Sequence, residues 1–263
     1  LEERDVQIRG HKIRLPVDVF ILATANPEDY TNRGRIITPL KDRYGAQIRT
    51  HYPEYVHQEI DIIEQEANTL SLPDYTLSVP AYMKEIIAEV THHARKSPDI
   101  NQASGVSVRA SISNYEAMVA NAFRRALVLN EAEVVPRISD LDYIVSSFQG
   151  KVEFEAMEDG QENKITNRII QAATKAVFDQ HHELQDMQVI ADAFNEGLTI
   201  EIGEAVYAED YAVIIEKIPG MAERITATTP ASRASEVEFI LEGLHLNKLL
   251  NKYAVSGRAT YSG

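Results

Sequence analysis

The sequence contains no cysteine, no long run of apolar residues and no secretory signal. Without cysteine, the chain forms neither a disulfide framework nor a metal site with thiolate ligands. Without a long apolar run, it has no candidate for a membrane-spanning helix. These absences predict a cytoplasmic protein with no membrane partner.

Basic residues are also scarce: 26 lysines and arginines face 40 acidic residues, which leaves a formal net charge of −14. Proteins that bind long nucleic acids neutralise phosphates with basic side chains, and such a groove here would oppose the field of the whole chain. We therefore expect no nucleic-acid partner. With 44% hydrophobic residues over 263 positions, the chain is long enough for one large or two ordinary domains with cores.

No segment matches the phosphate-binding loop of nucleotide hydrolases, which needs spaced glycines followed by Lys and Ser or Thr. The one Gly-Lys pair, Gly150-Lys151, is followed by Val152, and Val145 stands where the first glycine of the loop should be. An apolar strand ending in Asp-Glu, the usual magnesium-binding element, is missing as well. Since the chain opens at Leu1 without a Met, we expect a fragment that begins after a phosphate-binding half.

The first fifty residues have strand patterns. Apolar and polar residues alternate between residues 6 and 15 on either side of Gly10, which predicts a hairpin that turns there. The run 17–25 is mostly apolar and β-branched and ends at Asn26 before a proline, which predicts a buried strand whose tip presents one polar side chain. Another short strand is predicted over 46–50.

Beyond residue 53 the apolar period becomes helical. Apolar residues recur every three or four positions in segments 56–70, 83–94, 112–126, 165–177, 187–194, 211–218 and 237–244. Stripes of this width are buried, so we predict a mostly α fold with a small α/β portion. The polar run 157–164 marks a boundary between a helical bundle over 53–155 and a helical C-terminal domain over 164–263. Segment 226–232 is predicted to be a flexible connector.

Three motifs resemble an AAA+ ATPase, in particular its magnesium-chelatase and MoxR-like branch. They are the strand that ends at Asn26, the segment Thr38–Tyr44 with its Leu-Lys-Asp-Arg-Tyr sequence, and Ser104–Ser111, which has Val108 where Pro is common in relatives. The resemblance covers roughly residues 1–155 and depends on the order of the three motifs.

The resemblance implies an architecture for these segments. Residues 1–52 are the C-terminal part of an AAA+ α/β core, with a pre-sensor hairpin, the sensor 1 strand and the Arg finger. Residues 53–155 are the helical lid that carries sensor 2.

The resemblance also implies roles for three residues. Asn26 is sensor 1, which positions the attacking water, and a neutral amide holds water and a phosphate oxygen together without adding charge. Arg43 is the finger that reaches the ATP of a neighbouring subunit, a task suited to a planar and permanently charged group. Arg109 is sensor 2, and an Arg in the first turn of a helix suggests a facing anion, because the helix dipole there favours negative charge.

Each of these residues has a structural alternative. An Asn before Pro often starts a turn. Arg43 could be a surface residue paired with a carboxylate, and Arg33 and Arg35 compete with it for the finger role. Arg109 could be an ordinary exposed arginine. The pairs His92-His93 and 181–182 are expected on solvated faces, without metal, because adjacent helical side chains point about 100° apart.

For the parent protein, the resemblance implies a ring of identical subunits, often a hexamer, that binds ATP and Mg²⁺ between subunits. Lid motion then remodels a partner protein, and relatives often act with a protein bearing a von Willebrand factor A domain. This chain alone is expected to hydrolyse nothing. Two alternatives are a non-catalytic helical protein-interaction module and a sigma-54-type activator. The activator ranks last because the tail has no basic recognition helix.

Overall fold

The computed structural model describes residues 5–14, 20–24, 42–155, 160–255 and 257–263. The chain divides into two compact units, residues 1–51 and residues 52–263. The described part is mostly helical with small sheets, which confirms a mostly α fold. No helix in the described ranges has the length and apolar character that crossing a membrane requires.

Among the described residues of the first unit, a hairpin is the regular structure. Strand β1 (Asp5–Ile8) pairs antiparallel with β2 (His11–Arg14). The two turn residues, Arg9 and Gly10, have φ angles of 49° and 84°. Two-residue hairpin turns with positive φ at both positions match the twist of the flanking strands. The predicted hairpin is therefore confirmed.

The buried strand predicted over 17–25 is wrong for the residues that the structure describes there. Residues 20–24 form no strand, and Phe20 and Leu22 are 89% and 83% exposed. The strand predicted over 46–50 is also absent, and that segment is exposed. A strand is stabilised by a hydrogen-bonded neighbour and a covered face. No described strand pairs with either segment.

The described helices lie in the second unit. They are α1 (Val56–Glu66), α2 (Ala81–Lys96), α3 (Arg109–Leu129), α4 (Ile144–Gln149), α5 (Glu162–His181), α6 (Gln188–Asn195), α7 (Tyr211–Lys217) and α8 (Pro230–Leu246). Short 3₁₀ turns cover Ile138–Tyr143, Leu184–Met187 and Ala208–Asp210. The periodicity thus predicted these helices except α4, and α1 ends earlier than its apolar stripe.

Two small sheets accompany the helices. Strands β3 (Thr76–Leu77) and β4 (Glu133–Val134) pair in parallel. Strands β5 (Ile200–Gly203), β6 (Asn251–Val255) and β7 (Arg258–Ser262) form an antiparallel sheet in the order β5-β7-β6. Strands β6 and β7 were not predicted from the sequence.

The apolar stripes meet in one core. Helix α2 packs against α3 and α5, and α5 packs against α8. Between α2 and α8, the rings of Tyr82 and Phe239 stack with centroids 4.3 Å apart. Segments 53–155 and 164–263 therefore share buried apolar surface, and their standing as separate domains stays a prediction. Part of the predicted boundary, 156–159, lies outside the described residues.

The prediction of a flexible connector over 226–232 is wrong. The Thr229 side chain caps α8 by accepting a hydrogen bond from the Ser232 N–H, and Pro230 occupies the first turn. The Thr226 N–H and hydroxyl both donate to Glu236. Side-chain hydrogen bonds to a helix start fix such a segment, and threonine, serine and proline suit caps as well as loops.

Candidate functional site

The structure locates two of the three predicted site residues. Asn26 lies outside the described residues, as do the competitors Arg33 and Arg35. Arg43 lies in an exposed turn of the first unit. Arg109 is exposed in the second unit. Their convergence on one ligand stays a prediction.

Arg109 is the first residue of α3, as its motif predicts. Its backbone N–H donates to the Ser107 hydroxyl at 3.3 Å. The first turn of α3 contains no acidic residue, and no carboxylate in the described ranges lies within ion-pair distance of its guanidinium. The partial positive charge of a helix start disfavours a cation by about 0.3–1 kcal/mol. The arrangement is therefore suited to an anion.

A buried charge cluster lies beneath the start of α3. Glu59 on α1 is fully buried and accepts two hydrogen bonds from Arg95 on α2, with Nη1–Oε2 and Nη2–Oε1 distances of 2.6 and 3.0 Å. The Ser111 hydroxyl donates to Glu59 Oε1 at 2.5 Å. A buried carboxylate is tolerated only with such partners.

The prediction of a solvated face is wrong for His92. Its side chain is 11% exposed, and Nε2 lies 3.2 Å from Glu59 Oε2 without alignment for a hydrogen bond. Sequence reasoning also missed Glu59 itself. The available signal was its position on the apolar stripe of α1, three residues after Val56 and four before Ile63, where a charged residue needs a partner.

A second buried cluster fastens the far end of α3. Arg125 Nη2 donates to Asp140 Oδ2 at 2.9 Å, and both residues are buried. The Arg137 N–H donates to the same carboxylate at 2.8 Å, and its guanidinium lies over the Tyr211 ring. These contacts join α3 to the 3₁₀ turn after it and to α7. The cluster is enclosed, which indicates a structural role.

A polar cavity of about 420 Å³ lies among α5, α8 and the strands β6 and β7. Its buried carboxylates are already bonded: Glu238 accepts from the Tyr211 hydroxyl, and Glu242 accepts from Tyr261 and Lys252. Burial, followed by the adjacent carboxylates, raises the pKa of both tyrosines, so both remain neutral donors. Within the described ranges, no group of three His, Cys, Asp or Glu residues is arranged to hold a metal ion.

Comparison with known proteins gives one distant relative. The chain is 26% identical over 161 residues to the uncharacterized protein YeaC of Bacillus subtilis, a match that covers 55% of this chain and 48% of that protein. The chain thus spans about half the length of the curated relative it matches. No protein-family model and no solved structure matches this chain.

Proposed function

We propose that this chain is part of an AAA+ ATPase of the magnesium-chelatase and MoxR-like branch. In this role, Asn26, Arg43 and Arg109 act on ATP held between subunits of a ring, and the helices that follow couple hydrolysis to the remodelling of a partner protein. A partner with a von Willebrand factor A domain belongs to the same proposal.

The observation that carries the proposal is the environment of Arg109. A sequence motif for a phosphate sensor predicts an arginine at a helix start, and Arg109 is exposed there without a carboxylate partner in the described ranges. The partial positive charge of a helix start and a guanidinium together favour a phosphate oxygen. In a chain with a net charge of −14, an arginine without a carboxylate partner is less expected by chance, because acidic side chains outnumber basic ones.

The residues present fit the phosphates of ATP better than they fit magnesium. Arg43 and Arg109 are cations that the structure leaves exposed. The described residues contain no cluster of metal ligands, so we assign Mg²⁺ to none of them. Bound Mg·ATP supplies the phosphoryl group for transfer to water. The proposed contributions of this chain are orienting that water at Asn26 and balancing phosphate charge at the two arginines.

The test is ATP turnover by a ring-forming protein that contains this chain together with a phosphate-binding loop. We expect Arg43→Ala to reduce kcat by about 10³-fold or more, because arginine fingers contribute factors of this size. Arg258→Ala, at an exposed arginine paired with Glu201, is the matched control and should keep turnover.

Because Arg43 acts on the ATP of the neighbouring subunit in this proposal, an experiment with mixed subunits tests the same assignment. Mixing Arg43→Ala subunits with subunits that lack the phosphate-loop lysine should restore part of the turnover, because some interfaces then combine an intact finger with an intact loop. Full turnover by Arg43→Ala alone would contradict the finger assignment. A Gly-x-x-x-x-Gly-Lys-Ser/Thr motif about a hundred residues upstream of Leu1 in the gene would support the class.

A non-catalytic interaction module is the second candidate. Strand β6 pairs on one side with β7, and its residues Tyr253 and Val255 are 73% and 52% exposed. Exposed aromatic and β-branched side chains on an edge strand suit strand addition by a partner. Absence of ATP turnover in the test above would favour this candidate.

A further inference from the structure

The loop that enters α3 is fixed from two sides by the buried cluster of Glu59, Arg95 and Ser111, which we call the Glu59 clasp. Ser111 is the third residue of α3 and follows Arg109 by two positions. Its hydroxyl has a single hydrogen, which Glu59 receives. The Thr91 hydroxyl, 2.6 Å away, therefore donates to Ser111. The first turn of α3 thus bonds to α1 and α2 through one side chain.

The other side of Arg109 is held by Arg95. Its Nε donates to the Val106 carbonyl at 3.0 Å, while its two terminal nitrogens bind Glu59. The guanidinium also lies over the Tyr52 ring, 4.3 Å from the centroid. Arg95 therefore bonds along its edges and stacks on one face of its planar group, and rotation away from this position would break several contacts together.

Gly105, in the loop before α3, lies close to the Tyr52 hydroxyl. Its φ is 71°, in the left-handed region, and a Cβ there would collide with the Tyr52 hydroxyl. A side chain at position 105 would therefore require the Tyr52 ring to shift, and the positive φ favours glycine there. Residues 105–111 are therefore held at three points: Gly105 lies against Tyr52, the Val106 carbonyl accepts from Arg95, and Ser111 donates to Glu59. Arg109 is an exposed residue within this segment.

Stability alone does not account for this cluster. Replacing a buried ion pair by well-packed apolar residues is often neutral or stabilising, because desolvation offsets the attraction between the charges. What a bidentate pair adds is a fixed geometry. Here the fixed pair also holds Val106 and Ser111, which lie on either side of the solvent-facing Arg109.

We infer that Glu59 is a positioning residue: through Arg95 and Ser111 it fixes the first turn of α3 so that Arg109 is held ready for a phosphate. The identity of the phosphate as that of ATP depends on the proposed function above. The clasp itself does not, since it is defined by contacts within the second unit.

The first experiment measures amide hydrogen exchange by NMR in this chain. The amides of Ala110 and Ile112 bond to the carbonyls of Ser107 and Val108, so their exchange reports opening of the first turn. We expect Ser111→Ala to increase both exchange rates by about tenfold, the size that loss of one buried hydrogen bond allows. Glu59→Gln should increase them further.

Two matched variants separate local from global effects. Ser235→Ala removes another buried hydroxyl, which bonds to Tyr82 and to the Pro136 carbonyl, and Glu242→Gln neutralises another buried carboxylate. Neither should change exchange at Ala110 and Ile112 beyond its effect on the whole chain. Equal exchange in Ser111→Ala and the unmodified chain would overturn the clasp. Because Ser111→Ala removes one hydroxyl, it keeps the result interpretable if Glu59→Gln does not fold.

The second experiment measures KM and kcat for ATP in the ring-forming protein that contains this chain together with a phosphate-binding loop. Glu59→Gln and Ser111→Ala should raise KM for ATP by about tenfold with a smaller change in kcat, and neither should add to the effect of Arg109→Ala. An equal rise of KM in the Arg109→Ala background would overturn the positioning role. If Arg109→Ala leaves KM unchanged, the sensor role in the proposed function is wrong, and the exchange rates still decide whether the clasp holds α3.

Discussion

The two units differ in what their apolar side chains contact. In the first unit, Phe20, Leu22 and Ile48 are 89%, 83% and 88% exposed, whereas in the second unit Met83 and Phe123 are 0% and 1% exposed. The helical stripes of the second unit cover one another within the chain. An apolar pattern therefore predicts burial only where the structure supplies a complementary surface.

The test with the largest expected effect replaces one phenylalanine by alanine in each unit. Phe123→Ala should lower the free energy of unfolding by about 3–5 kcal/mol, because it removes a buried ring and leaves a cavity. Phe20→Ala should change it by less than about 0.5 kcal/mol, as expected for an exposed side chain. Urea unfolding followed by circular dichroism measures both. Similar losses for the two variants would show that Phe20 is buried in solution.

A smaller test compares two glycines with positive φ. Gly10 has a φ of 84°, and a Cβ added to it would have no atom within 4 Å, whereas Gly105 has a φ of 71° and faces the Tyr52 hydroxyl. Gly10→Ala should cost about 1 kcal/mol of backbone strain. Gly105→Ala should cost about 2–3 kcal/mol, because steric overlap adds to the strain.

Thermal unfolding of the two glycine variants measures this difference. If Gly105→Ala is no more destabilising than Gly10→Ala, then Tyr52 moves away without loss and the loop before α3 is not tightly enclosed. Exchange at Ala110 and Ile112 would in that case also be unchanged in Gly105→Ala.

The smallest expected effect is a pH dependence within the second unit. Burial lowers the pKa of His182 from its ordinary value of 6.5, and the neighbouring His181 lowers it further. The unfolded chain therefore binds more protons than the folded chain just below pH 6.5, and the free energy of unfolding falls as the pH drops through that window. His182→Gln should weaken this fall in urea titrations between about pH 7 and pH 5. An unchanged slope would place its origin elsewhere.

Much of the second unit was predictable because its signals are local. Each helix has apolar residues at the helical period, and the start of α3 follows the Gly and Ser of its motif. The same reasoning failed for 20–24 and 46–50, because a strand depends on neighbours that its own residues do not specify. It also missed β6 and β7, which lie beyond the last helical stripe.

The candidate site divides in the same way. Arg109 was identified from its motif, and the structure places it at the start of a helix as expected. Glu59 and Arg95 were not identified, because one charged residue on an apolar stripe does not reveal which distant residue pairs with it. His92 was assigned to solvent because helical spacing alone does not show which neighbouring helix covers a face.

By itself, the sequence determined the longer helices, the turn at Gly10 and the position of Arg109, since these depend on residues a few positions apart. The tertiary structure alone decided that Glu59 meets Arg95 and Ser111, which lie 36 and 52 positions away in the chain. Such pairings follow from the packing of α1, α2 and α3 against one another, and the energy of a buried charge depends on that enclosure.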